Sequence, residues 1–140
     1  MQMKRLSFVL ALVLVLSIGV QAAWIDGTYE GWSDAGPNGC QYAKVFIEDG
    51  KITAVILREL TGLYVEKDFS KYNWPEAGEA ARTLPAQFVA NQAAEADIVT
   101  KATGSSEGYI QAVERALVRA SDVKPDKKYF DGTFIGRSEV

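Results

Sequence analysis

The sequence predicts an α+β domain, in which an antiparallel sheet centred on a β-hairpin carries helices packed on one face. Two observations carry this prediction. Two runs rich in β-branched residues, 41–48 and 51–60, are joined by Asp49-Gly50, the strongest short-range signal of a hairpin. Farther along, segment 109–120 places apolar side chains at i, i+3, i+4, i+7, i+8 and i+11, which form one face of an amphipathic helix.

The remaining elements follow from local composition. A turn and a short strand are expected at 26–33, followed by a loop at 34–39 that is rich in Gly, Pro and Asn. Pro75 is well placed as the first residue of a short alanine-rich helix. Pro85 is expected to interrupt that helix and to begin another, which ends near residue 92.

The first 22 residues have the three parts of a secretory signal peptide. Two basic residues at 4–5 precede an apolar run at 8–16, and residues 20–22 place small side chains where a signal peptidase reads. A retained membrane anchor is the alternative, but the run is shorter than the roughly 20 residues of a spanning helix. We therefore predict a signal peptide at 1–22, a mature chain starting at or near Ala23, and an exported, extracytoplasmic protein of the periplasm or cell surface, free or membrane-associated.

The composition of the mature chain excludes several classes of site. Its 13 basic and 18 acidic residues give a net charge of −5, opposite to that of a typical nucleic-acid binder. The chain has no histidine, which excludes Ser–His and Cys–His nucleophilic sites and imidazole-ligated metals. Cys40 is the only cysteine and is interpreted as a half-buried small hydrophobe. We expect no metal, no nucleic-acid partner and no catalytic acid, base or nucleophile.

The end of the chain repeats the start of the domain. Residues 131–139, Asp-Gly-Thr-Phe-Ile-Gly-Arg-Ser-Glu, echo residues 26–34, Asp-Gly-Thr-Tyr-Glu-Gly-Trp-Ser-Asp. We predict one domain at 23–120, followed at 121–140 by a linker and the apparent start of a truncated second repeat. The alternative is a chance similarity in a C-terminal strand that docks on the sheet.

A run of hydroxyl-bearing and small residues, 97–106, leads into the amphipathic helix. Free backbone N–H groups at a helix start, together with the positive end of the helix dipole, bind phosphate readily. Gly104 allows close approach of the backbone to a ligand. From the residues alone, a phosphate site and a simple helix cap formed by serine both remain open. The hydroxyls and the positive charge come from Thr103, Ser105, Ser106 and Lys101.

Segment 97–106 resembles the signature of the FMN-binding domain family, a pattern close to D-x-x-[ST]-G-A-T-x-[ST]-S before an amphipathic helix. The resemblance extends to the opening strand at 26–31, the hairpin at 49–52 and the helix near 84–92, and covers roughly residues 26–120. The family includes exported flavin subunits of the sodium-pumping NADH:quinone oxidoreductase and of its ferredoxin-dependent relative. It implies an electron carrier that holds FMN and meets redox partner proteins, membrane-bound ones included.

Carried over by position, the resemblance implies that the FMN phosphate lies at Thr103, held by hydrogen bonds or by an ester that a separate flavin transferase forms. Lys101 stands where the family has glycine. A glycine at this position implies either a positive φ or a close approach of the backbone to the ligand, and lysine resists both. This departure bears on covalent attachment more than on binding. The implied cofactor-binding residues are Asp97, Thr100, Lys101, Ala102, Thr103, Gly104, Ser105 and Ser106.

Two further interpretations stay open. The aromatic residues between Tyr64 and Trp74 are either core residues or a cover for the isoalloxazine ring. The whole chain is either a redox carrier or a non-redox exported module, for ligand binding or interaction, that keeps the fold and has lost the flavin.

Overall fold

Three strands and two helices form in the described part of a computed structural model, which comprises residues 24–123, 129–136 and 138. The predicted signal peptide at 1–22 lies outside the described residues. Within them, no helix combines the length and the apolar character needed to cross a membrane. The elements are β1 (Gly27–Trp32), β2 (Cys40–Glu48), β3 (Lys51–Leu60), α1 (Pro75–Asn91) and α2 (Thr103–Ala120).

The sheet has the order β1-β2-β3, and both strand pairs are antiparallel. The predicted hairpin is confirmed, since Glu48 pairs with Lys51 across the two-residue turn. Asp49 and Gly50 both have positive φ, 51° and 68°, which is the backbone that a tight Asp-Gly hairpin turn requires.

The core lies between one face of the sheet and both helices. Ala43, Val45 and Ile47 alternate along β2 with more exposed residues, and their side chains belong to the buried core. On α2, Val113 and Leu117 are 0% and 7% exposed, as the helical pattern predicted. Helix α2 packs on β1 and β2, whereas α1 packs on β3. The predicted α+β fold, with its helices on one face of the sheet, is confirmed.

Cys40 is more deeply buried than the sequence indicated. Cys40 is only 2% exposed. It is the first residue of β2 and pairs with Leu60, the last residue of β3. Burial raises the pKa of its thiol, which keeps the sulfur protonated and unreactive at neutral pH.

Helix α1 is one continuous helix, so the prediction that Pro85 divides this region into two short helices was wrong. It continues without a break through Pro85 to Asn91. A proline inside a helix removes a hydrogen bond and costs about 3 kcal/mol. Leu84 and Phe88, on either side of Pro85, are both fully buried, and burying each contributes about 2–3 kcal/mol. Tertiary burial thus outweighs the local penalty.

The C-terminal segment that echoes β1 lies against the loop after β1 and is not a strand among the described residues. The Ala35 N–H donates to the Thr133 carbonyl at 2.7 Å, and Arg115 donates to the Asp131 carbonyl at 3.2 Å. Gly136, which corresponds in the repeat to Gly31, has open space where a Cβ would lie. The interpretation of this segment as the start of a second repeat stays a prediction.

Candidate functional site

Helix α2 begins at Thr103, inside the segment 97–106 that was expected to precede it, and no side chain caps its start. The alternative of a helix cap formed by Ser105 or Ser106 was therefore wrong; Ala102 is the N-cap residue. The N–H groups of Thr103, Gly104 and Ser105 lie in the first turn, where the helix offers them no acceptor. No hydrogen bond to any of the three is found within the described part of the chain. The helix start therefore presents three free donors at the positive end of its dipole.

Ser106 holds the turn that precedes α2. Its hydroxyl donates to the Ala102 carbonyl at 2.8 Å and accepts the Val99 N–H at 3.1 Å, and the residue is fully buried. The Ala102 N–H donates to the Val99 carbonyl at 2.9 Å and closes the turn. Ser106 thus fixes the direction in which the chain enters α2.

Lys101 occupies the left-handed region, with a φ of 64°. It is the third residue of the turn from Val99 to Ala102, a position where tight turns with positive φ favour glycine. The Lys101 carbonyl accepts the Trp74 indole N–H at 2.6 Å, and the Lys101 Nζ lies 3.6 Å from a carboxylate oxygen of Glu76. A positive φ, rather than a lack of space, therefore explains why glycine suits this position.

We expect Lys101→Gly to raise the free energy of unfolding by about 1 kcal/mol, because it removes the left-handed strain of a residue that carries a Cβ. The matched control is Lys101→Ala, which deletes the ion pair with Glu76 but keeps the strain; its effect should be within about 0.5 kcal/mol. Urea unfolding followed by tryptophan fluorescence measures both. Equal effects of the two substitutions would contradict the explanation.

A cleft of about 460 Å³ opens at the start of α2. Its lining combines residues of the loop 34–39, the aromatic residues Tyr72 and Trp74, and the charged residues Glu59 and Lys67. The volume falls in the range of small-molecule sites, roughly 300–1,000 Å³. The lining residues are Asp34, Gly36, Pro37, Asn38, Gly39, Gln41, Glu59, Lys67, Tyr72, Trp74, Ala77, Lys101, Ala102, Thr103, Gly104 and Ser105.

The loop wall is held rigidly to α2. Asp34 accepts from the Arg115 guanidinium at 2.8 Å, and its backbone N–H donates to Gln111 at 2.7 Å. The hydrogen bond from Arg115 lowers the pKa of Asp34 below its ordinary value, so the carboxylate stays ionised. Gly36 and Gly39 exchange backbone hydrogen bonds at 2.8 and 3.1 Å, which closes the tip of the loop.

A buried ion pair forms part of the cleft lining. Lys67 Nζ lies 2.6 Å from a Glu59 carboxylate oxygen, and the two side chains are only 4% and 5% exposed. The other Glu59 oxygen accepts the Ser105 hydroxyl at 2.9 Å. Lys67 also lies 3.3 Å from the Tyr72 hydroxyl and 4.7 Å from the centre of its ring. Burial is the largest single effect and lowers the pKa of the Lys67 ammonium, but the hydrogen bond that Lys67 donates to Glu59, the Glu59 charge and the Tyr72 hydroxyl together raise this pKa above its ordinary value.

The cleft brings together five of the eight residues named from the sequence and leaves three outside it. Asp97 and Thr100 are exposed and do not line it, and Ser106 is buried behind the turn. A direct contact of these three with a ligand stays a prediction. Those that line it are Lys101, Ala102, Thr103, Gly104 and Ser105.

Sequence reasoning missed Glu59 and Lys67. In the sequence they are charged residues flanked by others such as Arg58 and Glu66, which is the pattern of a solvated surface. The available signal was positional: Glu59 follows Leu57 by two, so the alternation of β3 places both on the same face.

The residues present fit a phosphorylated, ring-bearing ligand. The residues with the three free N–H groups and the exposed Thr103 hydroxyl line the cleft, where these groups can donate hydrogen bonds to a dianionic phosphate. No atom lies within 4 Å of a Cβ built on Gly104, so the first turn is open to a ligand. The half-exposed aromatic residues Tyr72 and Trp74 add apolar surface to the lining of the same cleft.

Comparison with known proteins gives one family match and a common fold. The family model described as FMN-binding domain matches residues 36–118, which is more than half of the chain. The crystal structure of the CPE2226 protein from Clostridium perfringens is similar at a TM-score of 0.57 and 24% identity, over 69% of this chain and 88% of that one. A solution structure from Clostridium thermocellum matches at a TM-score of 0.44 and 17% identity, over 76% and 98%. No protein with a curated function matches the chain in sequence.

Proposed function

The chain belongs to the FMN-binding domain family and is a flavoprotein with FMN as its cofactor, and from that premise we propose that it is an exported electron carrier with the FMN phosphate at Thr103. Bound FMN supplies the redox chemistry, accepting and releasing one or two electrons. The protein supplies binding, orientation and the electrostatic surroundings.

The observation that carries the proposal is the uncapped start of α2. Three free N–H groups and the Thr103 hydroxyl open on the cleft, inside the region that matches the family. Ser106 fixes the preceding turn, so these donors are pre-organised and pay little entropy on binding. The phosphate of FMN is the group in that cofactor which such donors suit.

Thr103 is placed for either binding mode. Its side chain is exposed and lines the cleft, so a second enzyme can reach its hydroxyl. Condensation with free FMN would release water and is unfavourable in aqueous solution. A flavin transferase therefore needs a flavin whose phosphate carries a leaving group. An ester at Thr103 would form between its Oγ1 and phosphorus with loss of that leaving group, and the leaving oxygen would take the hydroxyl proton.

Tyr72 and Trp74 are the residues proposed to contact the isoalloxazine ring. Of the aromatic residues between 64 and 74 they line the cleft, whereas Tyr64 and Phe69 do not. The Trp74 indole is fixed by its hydrogen bond to the Lys101 carbonyl. The same hydrogen bond therefore joins the ring-binding side of the cleft to the turn that precedes the phosphate site.

Export and redox partnership complete the proposal. The signal-peptide pattern at 1–22 supports a location outside the cytoplasm, free or beside a membrane. The partners are proposed to be redox proteins, membrane-bound ones included, that exchange electrons with the flavin. A flavin transferase is a further partner if the flavin is covalent.

The exported protein, produced together with a flavin transferase, is expected to be yellow and to show flavin absorbance. Production without the transferase, followed by addition of excess FMN, tests non-covalent binding. The mass of the secreted protein reports signal cleavage and flavin attachment together. A protein that carries no flavin under either condition would refute the carrier and favour the non-redox module.

A further inference from the structure

The buried ion pair between Glu59 and Lys67 is the feature of the cleft that FMN binding alone does not explain. Taking two charges out of water costs several kcal/mol for each ion, and apolar residues of similar size are often at least as stable. Both side chains are nevertheless almost fully buried and both line the cleft. An ionic pair retained in a ligand cleft points to a role toward the ligand.

The pair is connected to the start of α2 by a continuous series of hydrogen bonds. Glu59 binds Lys67 through one carboxylate oxygen at 2.6 Å and Ser105 through the other at 2.9 Å. Ser105 belongs to the first turn of α2, and its own N–H is one of the free donors. The carboxylate charge is therefore one side chain away from the proposed phosphate position.

The two charges act on a phosphate with opposite signs. The Glu59 carboxylate repels an anion at the start of α2, and the Lys67 ammonium attracts it. Both charged side chains are buried, so water screens their charges less than it screens charges at an exposed surface. The isoalloxazine ring carries no comparable charge, so the pair discriminates among flavins by their phosphate.

We propose that the Glu59–Lys67 pair sets the selectivity of the cleft for phosphorylated over unphosphorylated flavin, with Lys67 as the attractive group and Glu59 as the residue that moderates it. Glu59 has a second, positioning effect, because its carboxylate accepts the Ser105 hydroxyl and so fixes that side chain in the first turn. This proposal rests on the proposed function, since it assumes that FMN occupies the cleft.

The test compares the dissociation constants of FMN and riboflavin, measured by flavin fluorescence. The protein is produced without a flavin transferase, so Thr103 is unmodified. The measured quantity is the selectivity, the dissociation constant of riboflavin divided by that of FMN. Riboflavin differs from FMN only in lacking the phosphate. General damage to the fold therefore weakens the binding of both flavins and leaves the selectivity unchanged.

Glu59→Gln is expected to raise the selectivity, and Lys67→Met to lower it, each on the order of tenfold. The double variant is expected to return it close to the wild-type value. The matched control is Lys71→Met, which removes a lysine that is 83% exposed and paired only with Asp68 in the described residues; it should leave the selectivity unchanged. If Lys67→Met does not fold, Glu59→Gln decides alone, since loss of structure cannot raise selectivity for FMN.

Selectivity that stays at the wild-type value in Glu59→Gln, or that moves in the same direction in both single variants, overturns this inference. In either case a wild-type protein that binds FMN leaves the proposed function standing. A wild-type protein that binds neither flavin overturns the proposed function, and this inference with it.

Discussion

Replacing Thr103 by alanine is expected to abolish all flavin that survives denaturation of the protein. The ester needs the Thr103 hydroxyl, which is exposed and lines the cleft. No neighbouring hydroxyl can replace it, because Ser105 donates to Glu59 and Ser106 is buried behind the turn. In-gel fluorescence of the denatured protein, produced with a flavin transferase, measures the loss.

Non-covalent binding responds to the same substitution far less. If hydrogen bonds alone hold FMN, Thr103→Ala removes one of them, worth about 1 kcal/mol, and the affinity falls several-fold. The free N–H groups of the first turn are unaffected by the substitution. Equilibrium binding of FMN to the unmodified protein therefore distinguishes the two modes.

Thr100→Ala is the matched control for the covalent mode. Thr100 is an exposed threonine of the same loop that does not line the cleft. We expect it to keep flavin that resists denaturation. If Thr103→Ala keeps this flavin and Thr100→Ala loses it, the ester is on Thr100, and the proposed attachment at Thr103 is wrong.

The parts of the fold that local sequence signals dictate could be predicted. The Asp-Gly turn needs two residues with positive φ, and Asp49 and Gly50 supply them. The apolar face of α2 is an unbroken helical pattern, so Val113 and Leu117 were placed correctly in the core.

The parts decided by tertiary contacts could not be predicted. The course of α1 through Pro85 depends on the burial of Phe88 against the sheet, which no local pattern contains. The start of α2 was placed too late because Thr103 and Gly104 are poor helix formers, and the turn held by Ser106 fixes that start instead.

The candidate site was predicted in part for the same reason. The loop before α2 was found because hydroxyls, a glycine and a lysine are adjacent in the sequence. The contribution of loop 34–39 was not found, because Asp34 is 63 residues or more from this segment in the sequence and meets it only through the packing of β1 on α2. Residues that complete a site from distant elements have no local signature.

Gly31→Ala is expected to destabilise the fold strongly, because residue 31 lies where β1 packs on α2. A Cβ at residue 31 would overlap the Ala112 carbonyl oxygen and would lie 2.8 Å from the Ala116 nitrogen. Both atoms belong to the backbone of α2, which cannot yield as a flexible side chain does. The helix must therefore move away from β1, and overpacking of this kind costs about 3 kcal/mol.

The matched control for Gly31→Ala is Gly104→Ala, because the same methyl group at residue 104 meets no atom within 4 Å. In the first turn of α2 alanine is a better helix former than glycine, so this variant should be neutral or stabilised by up to about 1 kcal/mol. Thermal unfolding measures both, and Gly31→Ala should lower Tm by more than about 10 °C. Equal Tm values for the two variants would mean that α2 does not lie against β1 as closely as the contact at Ala112 requires. The start of α2 would then not be held by the sheet, and the pre-organisation of its free N–H groups would lose its structural basis.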